Sequence, residues 1–201
     1  MCGDCGQFFG SKVWQSNTKY RKIIWQCNDK FKNEHKCETP HLTEDEIKTR
    51  FMSAFTQLAD NRKQLIDDCR LIQKSLTDTT SIDGEIGKLN MEIDVVNGLI
   101  RKSINENASI AVTQEEYNKK YKEFEERYEK LNSKIKRLKD KKQKRQMQYT
   151  AIGAFMFEIM ELPEPPLAFD EKLWSVSIDH ATVYNDGRIV FKFVNGAEIE
   201  A

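Results

Sequence analysis

Cys2-Gly3-Asp4-Cys5-Gly6 opens the stretch on which the fold turns, and it closes with Trp25-Gln26-Cys27-Asn28 and Cys37-Glu38-Thr39-Pro40-His41. A Cys-x-x-Cys turn presents two thiolates to one cation, and zinc prefers four soft or borderline ligands in a tetrahedron. Two further cysteines, Cys27 and Cys37, complete a four-thiolate set of Cys2, Cys5, Cys27 and Cys37. Their separation is wider than the two to four residues of a plain ribbon, so His35 and His41 stand as alternatives to Cys37 for the fourth position. Paired disulfides are the competing use of these cysteines. The sequence shows no secretory signal, and thiols of a reducing compartment stay free, which favours metal.

Between the ligand pairs, Lys12-Val13-Trp14-Gln15 and Tyr20-Arg21-Lys22-Ile23-Ile24-Trp25 are short runs rich in aromatic and β-branched residues. Ser16-Asn17-Thr18-Lys19 separates them as a turn, so a β-hairpin standing on the metal is expected. Residues 1 to 41 carry seven basic side chains against four acidic ones. That excess suits phosphate contacts, although zinc ribbons also bind protein or act only as structural clips.

The wider composition sets the frame. The 201 residues are 39% hydrophobic and 32% charged, the balance of long solvated helices with a smaller packed end, and an elongated molecule is expected. Lys+Arg and Asp+Glu both number 32, so any affinity for nucleic acid must come from local patches. No apolar run is long enough to cross a membrane and no targeting segment is visible, which points to the cytoplasm. With Met1 directly before the first ligand, the expectation is a fragment of a longer protein.

Thr43-x-x-Glu46 is a capping box and starts a helix. Phe51, Phe55, Leu58, Leu65, Cys69, Ile72 and Leu76 follow as one apolar stripe, interrupted at Arg62. Cys69 reads as a small buried residue of that stripe. Thr77-Asp78-Thr79-Thr80-Ser81 weakens the helix, because short hydroxyl and carboxylate side chains compete for backbone hydrogen bonds, and marks a hinge or a new N-cap. The stripe resumes with Ile82, Ile86, Leu89, Ile93, Val96, Ile100 and Ile104, breaks over residues 105–112, and restarts after a second capping box, Thr113-x-x-Glu116. Tyr117, Tyr121, Phe124, Tyr128, Leu131, Ile135 and Leu138 carry it on.

Two heptad arms joined by a short loop predict an antiparallel coiled-coil hairpin. With the turn near residue 109, partner numbers should sum to about 217 or 218. Ile100 with Tyr117, Val96 with Tyr121, Ile93 with Phe124 and Ile86 with Leu131 all comply. A parallel homodimer is the competing arrangement. At the tip, Ile104, Ala108, Ile110, Ala111 and Val112 are apolar at the end of a charged arm, and either close the hairpin or form a contact surface for another molecule.

Lys134, Lys136, Arg137, Lys139, Lys141, Lys142, Lys144 and Arg145 form a basic run broken by Asp140. Lys142 and Arg145 fall on seam positions, so the two helices should splay there; the run is either a solvated face or a phosphate contact. Tyr149, Ile152, Phe155, Met156, Ile159 and Met160 return the helix to the packed end, and Pro163-Glu164-Pro165-Pro166 stops it. Ala181 to Tyr184 and Arg188 to Val194 read as strands around a turn at Asn185-Asp186-Gly187. His180 reads as a packed or surface histidine.

The expected fold class is therefore α+β: a small zinc ribbon with β-hairpins, and long helices forming a projecting antiparallel coiled-coil hairpin. The expected divisions are a ribbon over 1–42, a long helix to the hinge over 43–81, and the coiled-coil arm over 82–138 with its tip near 105–112. A returning helix over 139–162 follows, then C-terminal strands over 163–201 packing on the ribbon. No cleft of paired carboxylates, nucleophile elbow or phosphate loop appears, and the chain by itself reads as non-catalytic.

Cys2-Gly3-Asp4-Cys5-Gly6, Gly10-Ser11-Lys12-Val13-Trp14, Lys19-Tyr20-Arg21, Ile24-Trp25-Gln26-Cys27-Asn28 and Cys37-x-Thr39-Pro40-His41 together resemble the zinc β-ribbon of the large serine recombinases, the phage-type serine integrases. The resemblance runs on through the coiled coil to Phe169-Asp170-Glu171-x-Leu173-Trp174 and Val183-Tyr184-x-Asp186-Gly187-Arg188. It implies a zinc-bearing region of an enzyme of DNA recombination and DNA integration, whose catalytic domain and further DNA-binding domain lie outside this sequence. The zinc domain of that family binds half of an attachment site, and by position Lys12, Gln15, Ser16, Asn17, Lys19, Arg21 and Lys22 would contact double-stranded DNA. The coiled coil of that family reaches other recombinase subunits and controls synapsis, with a directionality factor able to alter that control. The tip residues would make the contact. The rival function is a zinc-clipped coiled-coil scaffold that binds only protein.

Overall fold

The computed structural model describes residues 1–32, 36–109, 113–163 and 168–201, with the backbone alone of Ala108 and Ser109. It is an α+β protein whose chain divides into two units, one of Met1–Gln73 with Thr150–Ala201 and one of Lys74–Tyr149.

In the first unit, strands β1 (Phe9–Trp14) and β2 (Lys22–Cys27) form the expected antiparallel hairpin, with Phe9 opposite Cys27 and Trp14 opposite Lys22. A short third strand, β3 (Leu42–Thr43), pairs with β2 at Ile24 and Trp25. Helix α1 (Glu44–Ala59) begins at Thr43 through the capping box: Glu46 N–H donates to the Thr43 hydroxyl at 3.2 Å, and Thr43 N–H donates to the Glu46 carboxylate at 2.7 Å. The Thr43 amide first, and then the Thr43 hydroxyl, which donates to the same carboxylate at 2.8 Å, hold the Glu46 carboxyl below its ordinary value.

The single helix expected over 43–81 is two. Helix α1 stops at Ala59 and α2 (Arg62–Thr77) starts after Asn61, whose side-chain oxygen accepts from Gln64 N–H at 3.1 Å. The break sits where Arg62 interrupts the apolar stripe, and a short amide that can cap locally ends one helix and begins the next. Helix α2 buries Leu65 and Cys69, and burial, with the Asp68 charge adding to it, pushes the Cys69 thiol up to about 11.

A second antiparallel sheet has strands β4 (Ile178–Val183), β5 (Ile189–Phe193) and β6 (Glu198–Glu200) in that order. The alternate residues Ile189, Phe191 and Phe193 of β5 are buried, as a sheet with one covered face requires. Phe51 of α1 is the hub of this core. Its ring centroid lies 4.8 Å from Trp174, 5.9 Å from Phe55 and Phe169, 6.0 Å from Phe191 and 6.3 Å from Phe193. Arg50, one residue earlier, donates to the Gly187 carbonyl at 2.7 Å and anchors α1 to the β4–β5 turn.

Ahead of β4 stands a helix where the sequence reading placed only strands. Helix α5 (Glu171–Ser177) is capped by Asp170, whose carboxylate accepts from Lys172 and Leu173 N–H at 2.6 and 3.0 Å. The N-terminal segment joins this second sheet: Cys2 bridges Val183 in parallel fashion, and Gly3 N–H donates to the Val183 carbonyl at 2.8 Å. A Cβ on Gly3 would stand 2.6 Å from the Tyr184 ring, so only glycine fits this approach.

In the second unit, α3 (Thr80–Ser109) and the Gln114–Tyr149 part of α4 (Gln114–Glu161) share an apolar core of Leu89, Val96, Leu131 and Ile135, flanked by Ile86, Ile93, Ile100, Phe124 and Leu138. Both arms of the expected hairpin contribute. Helix α3 runs on through 105–109, past the break expected there. Its seam also departs from the sequence reading at the end. Ser103 is buried, whereas Ile104 is 47% exposed. Continuing the alternating steps of four and three from Ile82 leads to 103, and a polar residue there hides the seam from a search for apolar ones.

At the hinge, α2 ends at Thr77 and α3 begins at Thr80, with Asp78 accepting from Thr80 N–H at 3.2 Å and Thr79 donating to Asp83 at 2.7 Å. Arg145 closes the end of α2. Its guanidinium donates to the Ser75 carbonyl, to Leu76 at 3.2 Å and to Asp78 at 3.0 Å, carbonyls that no helical N–H can reach. Lys142 pairs with Asp83 at 2.7 Å. The two seam cations are thus used by the hinge itself.

Candidate metal centre and nucleic-acid interface

The knuckle begins with tight backbone turns. Gly6 N–H donates to the Cys2 carbonyl at 3.0 Å and Cys2 N–H to the Gln7 carbonyl at 2.8 Å, with Gly6 at φ 73 in the left-handed region that glycine enters without penalty. The turn brings Cys2 and Cys5 together. The β1–β2 hairpin returns Cys27 to the same place, and the segment leading to β3 supplies Cys37.

One sulfur from each of Cys2, Cys5, Cys27 and Cys37 lies within 4.8 Å of all the others. The Cys2–Cys37 and Cys5–Cys27 pairs are each 3.4 Å apart, far beyond a disulfide bond, and all four are free thiols. A tetrahedron with zinc–sulfur bonds of about 2.3 Å has sulfurs about 3.8 Å apart, and the cluster brackets that spacing. The four cysteines therefore fit a zinc ion. His41 does something else: its ring packs on Trp14 with centroids 4.8 Å apart. His35 lies outside the described residues.

Thr39, fully buried, was quoted in the sequence only as part of a motif. Its hydroxyl oxygen is 2.9 Å from the sulfurs of both Cys2 and Cys37 and 3.2 Å from the Asp4 carboxylate. Lys30 donates to the Thr39 carbonyl at 2.6 Å and fixes the backbone there. Burial opposes ionisation of Cys2, but the Thr39 hydroxyl, the backbone amides of Cys5 and Asp4 and the Cys37 thiol outweigh it and bring Cys2 down to about 6. Cys27 is pushed up to about 12, by burial first and also by the neighbouring Cys5 and Cys37 thiols and the Cys2 charge. Four thiols this close oppose one another's ionisation, and a bound cation would relieve that opposition.

The distal end of the β1–β2 hairpin is open to solvent, and Lys12, Gln15, Ser16, Asn17, Lys19, Arg21 and Lys22 are all exposed. Thr18 organises the turn. Its N–H and hydroxyl donate to the Gln15 carbonyl at 3.0 and 3.2 Å, its hydroxyl accepts from Tyr20 N–H at 3.2 Å, and its carbonyl accepts from Arg21 N–H at 3.2 Å. Gln15 takes φ 53 to enter it. Two aromatic residues, read from the sequence as strand formers only, support the lysines: Lys22 Nζ stands 5.7 Å over the Trp14 ring and Lys19 Nζ 5.2 Å over the Tyr20 ring. Among the described residues, no carboxylate pairs with Lys12, Lys19, Arg21 or Lys22.

Of the tip residues, Ile104 is exposed; Ile110, Ala111 and Val112 lie outside the described residues, as does the side chain of Ala108. No described helix is long and apolar enough to cross a membrane. No curated protein and no solved structure matches the chain. Residues 1–56 match the family model of the recombinase zinc beta ribbon domain, and this N-terminal part is thus similar to the zinc ribbons of recombinases, a non-catalytic region of those enzymes.

Proposed function

We propose that this chain is the DNA-binding and subunit-interaction region of a site-specific serine recombinase of the integrase type, acting in the cytoplasm. The observation that carries the reading is the four-cysteine knuckle within the matched ribbon, bearing a hairpin whose cations have no acidic partner among the described residues. Cys2, Cys5, Cys27 and Cys37 hold a Zn²⁺ that cross-links the base of the hairpin. Lys12, Lys19, Arg21 and Lys22 meet phosphates, and Gln15, Ser16 and Asn17 at the turn offer the donors and acceptors that read base edges of an attachment site. The helical hairpin of the second unit reaches another recombinase subunit through its tip, where Ile104 is exposed, and so takes part in synapsis and its direction. A directionality factor would act on that contact.

The test is binding of the purified chain to duplex DNA carrying a candidate attachment half-site, with zinc measured on the same sample. The expected result is one zinc per chain and salt-sensitive binding that prefers the half-site. Lys19→Gln with Arg21→Gln should flatten the plot of log affinity against log salt by about 1.8, roughly 0.9 for each phosphate no longer neutralised. Full zinc loading without duplex affinity would transfer the function to the helical hairpin and leave the ribbon as a clip in a protein scaffold.

A further inference from the structure

Charge is segregated along α4 although the whole chain is neutral. Residues 114–129 carry six carboxylates and four cations, whereas residues 130–145 carry nine cations and one carboxylate, Asp140. The helix dipole does not account for this, because α4 continues to Glu161 and the basic stretch lies in its interior. Hinge duties account for two of the nine, Lys142 on Asp83 and Arg145 on the carbonyls at the end of α2. Lys134, Lys136, Arg137, Lys139, Lys141 and Lys144 are exposed, and no described carboxylate pairs with them.

Four of the six form a row. Lys134, Arg137, Lys141 and Lys144 follow at steps of three, four and three, which places them on one face beside the buried seam of Leu131, Ile135 and Leu138. Like charges at these steps oppose helix formation, so the row works against the element that carries it. At the near end, Glu126 and Glu129 line one surface groove with Lys130, Lys134 and Arg137, and beyond it the row runs free of carboxylates on its own face. Over the ten residues from Lys134 to Lys144 the helix rises about 15 Å. A DNA duplex presents about nine phosphates along the same length.

The row contains no aromatic or aliphatic side chain. A membrane-surface helix needs an apolar face to insert, a protein-binding face draws its energy from buried aromatic anchors, and single strands are held by stacking. A polyanion with regularly spaced charge and no demand for apolar contact is what remains, and duplex DNA is that partner. We propose that the face of α4 bearing Lys134, Arg137, Lys141 and Lys144 is a phosphate-binding surface that grips duplex DNA without regard to sequence, separately from the ribbon hairpin. The choice of DNA as the polyanion rests on the function proposed above.

The experiment compares three proteins, each the full chain: the parent, a hairpin variant with Lys19→Gln and Arg21→Gln, and a row variant with Lys134→Gln, Arg137→Gln, Lys141→Gln and Lys144→Gln. Glutamine keeps helix propensity at exposed positions, and circular dichroism checks the helix. Affinity for duplexes of unrelated sequence is measured from low to moderate salt. The row variant should flatten the log–log salt dependence by about 3 to 4 on every duplex, with zinc content unchanged. A lysine-to-arginine version of the row should retain the parent slope. An unchanged slope in the row variant beside a flattened one in the hairpin variant overturns the row and leaves the ribbon reading intact. The opposite pattern overturns the ribbon reading and keeps the row. Absence of duplex binding by the parent at low salt, or equal competition by polyglutamate of matched charge, overturns the assignment to DNA.

Discussion

The two units use different means of holding together. The first concentrates its cohesion at two points, a cluster of four thiols and an aromatic core gathered round Phe51. The second spreads its cohesion over a repeating seam of single aliphatic residues from Leu89 to Val96 and from Leu131 to Ile135, with no ring among its fully buried members. Concentrated cohesion fails abruptly when its centre is removed, whereas a repeating seam loses stability in small steps. The difference can be broken or sharpened by substitutions and by the metal.

Removal of zinc should have the largest effect. Structural zinc contributes apparent folding free energy of about 10 to 16 kcal/mol in small zinc domains. Chelation is expected to disorder residues 1–43 while the helical circular dichroism of α3 and α4 persists; a parallel loss of helix would erase the distinction between the units. Phe51→Ala comes next. It removes a fully buried ring that touches five other aromatic residues, and should cost about 3 to 5 kcal/mol in denaturant unfolding of the first unit. Arg145→Ala should have the smallest effect, about 1 kcal/mol, because its carbonyl partners at the end of α2 can turn to water. Its mark would be local: faster amide hydrogen exchange over 76–83, with the Leu89–Ile135 seam still protected.

The sequence was most legible where chemistry or period leaves little choice. The Cys-x-x-Cys spacing pointed to Cys2 and Cys5, and although the sequence left His35 and His41 as alternatives to Cys37, it is Cys27 and Cys37 that lie beside them. The steps of the arm placed Ile86, Ile93, Phe124 and Leu138 on one seam. Ser103 was missed because a buried hydroxyl looks polar to any apolar search, although the heptad step pointed to it. Helix α5 was missed because seven residues hold barely two turns, too few to display a period, and Asp170 was the only local sign of a start. The break at Asn61 was partly visible as a fault in the stripe at Arg62. Thr39 could not be assigned from spacing, since what distinguishes it is the convergence of two sulfurs on one hydroxyl. The exposed lysines of the hairpin were legible as charge, but the Trp14 and Tyr20 rings beneath Lys22 and Lys19 depend on the turn that folds them together.

The pairing of Met1–Gly3 with Val183 also has a consequence in time. A ribosome adds about 5 to 20 residues per second, so Cys2 and Cys5 emerge roughly 9 to 36 seconds before the strand that borders them. The four thiols can therefore come together, and a metal ion can be captured there, before the strand that flanks Cys2 exists.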